Sequence, residues 1–307
     1  MAYGDKKLEA GHAASHPARP NQTVYLSPTT RGEKNVIMRQ PRPEACWKLD
    51  DGRFDFDSCF VRPEAKAELA ELAALRAAHP GCPMSLFGHA DPTGDETYNK
   101  SLSGRRAEVI YAILLRDPAP WDKFFTAAPA GKTWGLRETQ MMLTALGFDT
   151  GGTSGSASAT STDAIKSFQQ SKGLTADGSA GANTRKALIP DYMAYLWPAA
   201  CTKSDFLNKG ADSGGKGDIQ GCSEFNPTMV FSISENTTLQ QPAKHGQRNE
   251  RNSVNRRVLA YLFPAGSTMP SDWPCPRVSE GVSACKGRFW SDGEKRRNPQ
   301  ANPRTFD

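Results

Sequence analysis

An aspartate, an asparagine and an arginine are spaced so that together they could bind a small ligand that carries both charges. Asp91 follows the apolar run MSLFGHA, and Asn99 and Arg106 lie in the helical stretch that comes next. Asn99 and Arg106 are seven residues apart, or two helical turns, and therefore share a helix face. Because a strand end adjoins the first turns of the helix that follows it, the three side chains are predicted to surround one concave patch.

Arg106 is unusual because its predicted helix face is otherwise apolar, with Leu102, Val109, Ile110 and Ile113. An arginine at the edge of a core keeps its proton and therefore requires a counter-charge. Two interpretations follow. Either Asp91 and Arg106 form an ion pair that fastens the helix to the sheet, or they bind the ammonium and the carboxylate of one zwitterionic ligand.

The elements that position these residues are predicted from apolar periodicity. Alternation in FDFDSCFV, residues 54–61, predicts a strand with Phe54, Phe56 and Phe60 on one face. A helix beginning at Pro63, a strand over MSLFGHA and a helix over residues 98–115 follow. Apolar residues on both faces of VNRRVLAYLF, residues 254–263, predict an inner strand that joins the same sheet.

The stretch between these strands changes character at Trp134. Helical apolar spacing in WGLRETQMMLTALGFDTG and in TDAIKSFQQSKG predicts a small all-helical unit, with GGTSGSASATS as a flexible loop. Because strands on both sides of this unit belong to one sheet, the unit is predicted to be inserted into a mixed helix-and-sheet domain and to split it in two.

Four motifs in this order resemble the OmpA C-terminal (OmpA-like) peptidoglycan-binding domain. They are FDFDS, GHADPTG, NKSLSGRRAEVI and NRRV, and the resemblance covers residues 51–118 and 219–263. It implies an α+β fold, a βαβαβ arrangement of helices on a mixed sheet. In that family the aspartate and the arginine bind the diaminopimelate of the wall's stem peptide.

The resemblance implies a role for each candidate residue. Asp91 would hold the ammonium of diaminopimelate, and Arg106 would take its carboxylate in a bidentate contact. Asn99 matches the family's helix asparagine and would hydrogen-bond the peptide. Arg256, the first arginine of NRRV, would add a further contact, and the alternative for Arg256 is a plain strand-end cation.

The helical unit resembles the three-helix peptidoglycan-binding domain (type 1) that is often attached to wall hydrolases. The segment FQQSKGLTADGSAGANTRKAL, residues 168–188, carries this resemblance. Asp177, Gly178 and Gly181 are expected to shape the turn and Thr184 to cap or orient the last helix. No ligand contact is assigned within this unit.

The predicted organisation has five segments. They are a flexible N-terminal arm, 1–33; the first part of the OmpA-like domain, 34–128; the helical insert, 129–197; the second part of the OmpA-like domain, 198–265; and a tail containing Cys, Trp and Arg, 266–307.

Composition excludes several classes of function. The formal net charge of +5 over 307 residues is too small to indicate nucleic-acid binding, and no stretch has the length of a membrane helix. Seven cysteines leave at least one unpaired, and Cys201 with Cys222 or Cys275 with Cys285 could form disulfides. No cysteine or histidine cluster shows metal-ligand spacing, so neither a zinc site nor any cofactor is expected.

The two resemblances imply a non-catalytic protein that binds peptidoglycan through the stem peptide. None of the five histidines accompanies a nucleophile in a recognisable arrangement, which disfavours an enzyme. The alternative is a wall anchor for a peptidoglycan hydrolase whose catalytic part is elsewhere.

The route to the wall is the last expectation. The first residues have no apolar core, so a secretory signal is not predicted. A periplasmic or wall location reached from the cytoplasm by a contractile injection or type VI secretion apparatus would explain this, and a leader missing from the sequence is the alternative. The tail residues Trp273, Phe289 and Trp290, with the nearby arginines Arg288, Arg296 and Arg297, could dock to such an apparatus. The alternative is a stapled surface loop with a solvated basic end.

Overall fold

Strands from both halves of the chain form one four-stranded sheet. The computed structural model describes residues 43–54, 57–127, 133–211, 217–269 and 280–288. The strands are β1 (Ala45–Asp50), β2 (Met84–His89), β3 (Ile219–Gly221) and β4 (Arg257–Leu262), in the order β1-β4-β2-β3. β4 is antiparallel to both β1 and β2, and β2 is parallel to β3. β4 is thus the inner strand that its two apolar faces predict.

Two helices cover one face of this sheet. They are α1 (Lys66–Ala78), which packs on β1, and α2 (Glu96–Leu115), which packs on β2 and β3. Asp95 caps α2 by accepting hydrogen bonds from the backbone N–H groups of Thr97 and Tyr98. The helix ends where Arg116 adopts a left-handed conformation, with φ of 52°.

The prediction of a strand at FDFDSCFV is wrong over the part that the structure describes. The sheet strand lies upstream, at Ala45–Asp50, and Phe54 makes only an isolated bridge to Val61. Asp57 has a positive φ of 51°, so the chain doubles back here instead of extending. Phe54 and Phe60 are nevertheless buried, which explains why the apolar alternation resembles a strand.

The two sides of β4 face different apolar clusters. Val258, Ala260 and Leu262 join the main core beneath α1 and α2. Leu259 and Tyr261 point to the opposite side, where they pack with a smaller cluster around Phe87, Leu207 and Phe263. The alternation of the two faces agrees with the sequence prediction for this strand.

The helical unit follows a short helix, α3 (Ala119–Thr126). It consists of α4 (Leu136–Ala145), α5 (Ala159–Ser171) and α6 (Ala182–Leu196). The Gly/Ser-rich stretch before α5 is a loop as predicted, but α5 begins inside that stretch. Gln140 fastens the loop, since its amide donates to Ser156 O at 2.9 Å and accepts from the Gly155 N–H at 2.8 Å.

The helical unit and the sheet share one hydrophobic core. Phe60, from the segment after β1, lies 5.2 Å from Trp134 and 5.9 Å from Tyr192 of α6, measured between ring centroids. The Tyr192 hydroxyl donates to the Val61 carbonyl at 2.9 Å. The predicted α+β class with an all-helical unit between the sheet strands is therefore confirmed, while the segment boundaries stay predictions.

The remaining described helices follow β3. They are α7 (Ile233–Leu239), α8 (His245–Arg251) and α9 (Gly281–Arg288), of which α9 packs against α2. None of the described helices combines the length and the apolar character that crossing a bilayer requires. The structure has no disulfide between Cys201 and Cys222, one of the two pairings that the sequence allowed, and Cys275 of the other pairing lies outside the described residues.

Candidate functional site

The end of β2 and the face of α2 meet because a glycine allows them to approach closely. A Cβ built on Gly88 would lie 1.9 Å from the carbonyl oxygen of Ser103, so no larger residue fits there. The Ser103 hydroxyl donates to the Lys100 carbonyl and accepts from the Ser223 N–H. This contact brings the residues after β2, including Asp91, beside the middle of α2, where Arg106 lies.

Arg106 is buried, as its apolar neighbours on α2 predict. Arg106 is only 2% exposed, and its guanidinium carbon lies 4.8 Å from the centroid of the Phe54 ring. Nε donates to the Ser58 carbonyl at 3.1 Å, and Nη1 lies 3.1 Å from Oδ1 of Asp51. The Nη1 contact is an ion pair without hydrogen-bond alignment. Burial lowers the pKa of Arg106, and the positive charge of Arg256 lowers it further. The negative charge of Asp51 raises this pKa but does not cancel the other two effects.

Asp91 contacts a different arginine. Its Oδ2 lies 2.5 Å from Nη1 of Arg256, and its Oδ1 accepts a hydrogen bond from the Thr93 N–H at 2.7 Å. Among the described residues, the carboxylate that faces Arg106 is Asp51 and not Asp91. The direct Asp91–Arg106 pair, one of the two interpretations of the sequence, is therefore wrong for this structure.

Arg256 connects the two carboxylates. Its Nε lies 2.6 Å from Oδ2 of Asp51, while Nη1 contacts Asp91 and Nη2 donates to the Asn249 carbonyl at 2.9 Å. Burial by itself would lower the pKa of Arg256, but Asp51 and Asp91 outweigh it and the pKa is raised. Arg256 is thus ion-paired to both carboxylates, and its contact with a bound peptide stays a prediction.

Four side chains therefore form an alternating charge network, in the order Arg106, Asp51, Arg256 and Asp91. Its two positive and two negative charges balance, which is the condition for burying them together. The two middle members are the most exposed: the side chains of Asp51 and Arg256 are 20% and 18% exposed, whereas those of Asp91 and Arg106 are 10% and 2% exposed. A ligand would meet Asp51 and Arg256 first.

Asn99 supports the turn that carries Asp91. Its side-chain amide donates to the backbone carbonyls of Asp91 and Thr93, both at 3.1 Å. In NRRV, Asn255 acts in a similar way, because its side-chain oxygen accepts from the N–H groups of Thr228 and Met229. These contacts position the backbone around the charge network, and a contact between Asn99 and a bound peptide stays a prediction.

Asp51 is the site residue that sequence reasoning missed. It lies in a short 3-10 turn, Asp51–Arg53, directly after β1. The register of β1 on β4 sets Asp50 opposite Arg257 and so brings Asp51 toward Arg256. The usable signal was the acidic pair in LDDGRFD, which becomes informative only when the strand before it is recognised and paired antiparallel with NRRV.

The helical unit has an open groove beside α3. Its volume is about 370 Å³, and its lining includes Phe125, Trp134, Ile165, Ser179 and Arg185. Arg185 lies over the Phe125 ring at 5.3 Å and donates to Asp122 at 2.8 Å. The groove therefore combines aromatic surface with one fixed cation.

The turn before α6 behaves as predicted and has one further organiser. Gly178 has a positive φ of 73°, which favours glycine, and Gly181 lies at the N-terminal cap of α6. The buried Gln169 binds the turn through Asp177, the Ser179 carbonyl and Thr184. Gln169 was not identified from the sequence.

Comparison with known families agrees with the two resemblances. Residues 53–133 match the model of the OmpA family, and residues 135–188 match a model described as a putative peptidoglycan binding domain. The chain thus contains an OmpA family domain followed by a helical domain of the peptidoglycan-binding type. Neither description names a reaction.

Curated relatives match only part of the chain. The outer membrane porin F of Pseudomonas fluorescens is 36% identical over 67 residues, which is 22% of this chain and 21% of the porin. The peptidoglycan-associated lipoprotein of Rhizobium meliloti is 34% identical over 73 residues, which is 24% of this chain and 42% of the lipoprotein. This chain thus spans 21% of the length of the porin and 42% of the length of the lipoprotein. No solved structure matches it significantly.

Most of the predicted docking tail lies outside the described residues. Trp273, Phe289, Trp290, Arg296 and Arg297 fall outside the described residues, and Arg288 is described only as the last residue of α9. The proposed role of this tail stays a prediction.

Proposed function

We propose that this chain binds peptidoglycan without cleaving it, and that its OmpA family domain recognises diaminopimelate in the stem peptide. Both family matches support peptidoglycan binding, and the relatives include a protein named for its association with peptidoglycan. A protein that binds peptidoglycan would be located in the cell envelope. The observation that carries the finer proposal is the charge network, whose arginines and carboxylates are arranged in alternation.

Binding at this network proceeds by exchange of ionic partners. The carboxylate of diaminopimelate replaces Asp51 between Arg106 and Arg256, and its ammonium contacts Asp91. Because the ligand carboxylate carries the same charge as the Asp51 carboxylate that it replaces, Arg106 and Arg256 keep a counter-charge during the exchange. The imperfect alignment of Arg106 Nη1 with Asp51 favours this step, since a ligand carboxylate free to rotate can form the better hydrogen bond.

The exchange begins on the exposed side of the network. Asp51 and Arg256 are its most accessible members, and a Cβ built on the neighbouring Gly52 meets no atom within 4 Å. The turn that carries Asp51 therefore borders open space at Gly52. Arg106 remains fixed at the back of the site by the Ser58 carbonyl and the Phe54 ring.

A sacculus pull-down with the full chain tests this proposal. Asp91→Ala and Arg106→Ala are each expected to weaken binding to diaminopimelate-type sacculi by about 30-fold or more, since truncating one group of a charged contact costs about 2–5 kcal/mol. Free diaminopimelate should compete with the wild-type protein. Arg105→Ala is the matched control, because Arg105 is the adjacent arginine and donates to Ser101 on its own helix.

Melting temperatures separate binding from folding. If Asp91→Ala and Arg106→Ala lose thermal stability yet retain full sacculus binding, the charge network only holds the fold together and the diaminopimelate proposal is wrong. Deleting the helical unit is a poor control, because Tyr192 and Trp134 belong to the shared core. A substitution in the groove serves better.

Two wider roles stay proposals drawn from the sequence. If the protein is an accessory of a contractile injection or type VI secretion apparatus, it should leave the cytoplasm only when that apparatus is intact. Fractionation of mutant cells can test this. The anchor of a wall hydrolase is the alternative. A clearing band on a zymogram with the purified chain would contradict the non-catalytic assignment itself.

A further inference from the structure

Three side chains of different chemistry meet on the surface at the opposite end of β1 from the charge network. Glu44 immediately precedes β1, His79 caps the C-terminal end of α1, and Cys82 lies in the turn that leads to β2. Oε2 of Glu44 lies 3.3 Å from Sγ of Cys82 and 3.6 Å from Nδ1 of His79. The three donor atoms all lie within 4.8 Å of one another.

The backbone holds each of these residues in place. The Glu44 N–H donates to the Leu262 carbonyl at 2.8 Å, which fixes Glu44 against β4. The His79 N–H donates to the last turn of α1, and the Cys82 N–H donates to the His79 carbonyl at 3.3 Å. Gly81, with φ of 77°, makes the turn between them. The cluster is therefore built from a sheet edge, a helix end and a tight turn.

The donor set and its spacing suit one divalent ion. Thiolate, imidazole and carboxylate are the zinc ligands of proteins, and their bond lengths of roughly 2.0–2.3 Å give tetrahedral edges of roughly 3.4–3.6 Å. The two donor separations at Glu44, 3.3 Å and 3.6 Å, match such edges. Three protein ligands leave the fourth position for water or for a group from outside.

We propose that Glu44, His79 and Cys82 bind a zinc ion on the surface of the OmpA family domain. The ion would connect the start of β1 to the turn between α1 and β2, with its open coordination position toward solvent, because the side chains of Glu44 and His79 are 45% and 30% exposed. The sequence did not suggest this site, since HPGC supplies only two ligands and the third lies 35 residues before His79.

Zinc titration of the reduced full chain tests the proposal. After metal is stripped with a chelator, zinc chloride is added and binding is followed by competition with a chromophoric chelator and by melting temperature. One ion per chain and a rise in Tm are expected. Glu44→Gln, His79→Gln and Cys82→Ser should each weaken binding at least tenfold, and Cobalt(II) should give a thiolate charge-transfer band that Cys82→Ser abolishes.

Cys46→Ser is the matched control, because Cys46 is an exposed thiol on β1, two residues after Glu44, and lies outside the cluster. It should retain wild-type affinity, stoichiometry and the cobalt band. The proposal is overturned if the wild-type chain binds no zinc, if Cys46→Ser and Cys82→Ser lose binding equally, or if all three ligand variants bind as tightly as the wild type. Circular dichroism checks that the surface variants remain folded.

Discussion

Asp51 lies 3.1 Å from the guanidinium of Arg106, the group that we propose binds the carboxylate of the ligand. In the proposed complex, the carboxylate of diaminopimelate takes the position that Asp51 has in this structure. Its other oxygen contacts Arg256 at 2.6 Å, so displacing Asp51 opens both arginines at once. The closed network and the proposed ligand complex are therefore alternative pairings of the same charges.

Replacing Asp51 by asparagine separates these two roles. Asp51→Asn keeps the size of the side chain but removes the charge that competes with the ligand. Sacculus binding should become roughly 3- to 10-fold tighter, because the competent state no longer has to displace an internal carboxylate. Stability should fall by about 2 kcal/mol, since the buried Arg106 loses its counter-charge. Pull-down and urea denaturation measure the two effects.

The two effects of Asp51→Asn have opposite signs, which makes the outcome informative. A purely structural network predicts lower stability with unchanged or weaker binding. Arg53→Gln is a suitable control for the same turn, because Arg53 pairs with Glu68 on α1 and not with the network. It should leave sacculus binding at the wild-type level.

Gly88 is predicted to be the least replaceable residue near the site. Gly88→Ala places a Cβ against the Ser103 carbonyl of α2, a backbone atom that can give way only if the helix shifts. We expect a loss of more than about 3 kcal/mol in the free energy of unfolding and weaker sacculus binding, because Asp91 and Arg106 move apart.

Gly52→Ala provides the comparison, since a Cβ there meets no atom within 4 Å. Its unfolding free energy should stay close to that of the wild type. Equal stability of Gly88→Ala and the wild type would mean that α2 and β2 do not pack as closely as described.

The sequence predicted the fold better at its centre than at its edges. β4 and α2 show clear periodicity because each is buried on a large face, and both appear nearly at their predicted bounds. β1 was missed because Lys48 and Asp50 alternate with buried Trp47 and Leu49 in a short stretch before the more conspicuous FDFDSCFV. β3 has only three residues, too few for periodicity.

The candidate site was predicted in its residues but not in its pairing. Asp91, Asn99 and Arg106 lie close together because β2 and α2 are adjacent in the sequence and pack on each other. Arg256 joins them through the pairing of β2 with β4, which sets His89 opposite Arg257. Which carboxylate faces which guanidinium depends on Asp51, which reaches the site through the pairing of β1 with β4. Such a contact depends on sheet register across more than two hundred residues, and local spacing does not encode it.

Cys59 should make stability depend on pH in the alkaline range. Burial raises the pKa of its thiol from 9.0 to about 12, while Arg105 and Arg106 oppose the rise. Because the pKa is higher in the folded state, the neutral thiol contributes stability that is fully present below pH 9 and is lost as the pH rises toward 12. Cys59→Ala should cost about 1–2 kcal/mol at neutral pH, and less as the pH rises above 9.

Denaturation with urea under reducing conditions at several pH values measures this difference. Val61→Ala is the control, because Val61 is also fully buried nearby but does not titrate. Its cost should stay constant with pH. A cost of Cys59→Ala that is equally constant would show that the thiol ionises as readily in the folded protein as in the unfolded chain.

The groove in the helical unit gives the last prediction. We expect it to contribute a second wall contact, since aromatic surface and the fixed guanidinium of Arg185 suit a polar polymer with apolar faces. Ser179→Trp places a large side chain at an exposed position in the groove lining, while the Ser179 carbonyl can keep its hydrogen bonds to Gln169 and Thr184. Sacculus binding should weaken severalfold with Tm unchanged.

Lys172→Trp is the control for this prediction, because Lys172 is an exposed residue of the same unit outside the groove lining. The Lys172→Trp variant should bind sacculi normally. If both variants bind sacculi equally well, the groove makes no wall contact and the OmpA family domain alone binds the wall. Combining Ser179→Trp with Arg106→Ala should abolish the residual binding of either variant, because two linked contacts to one polymer reinforce each other.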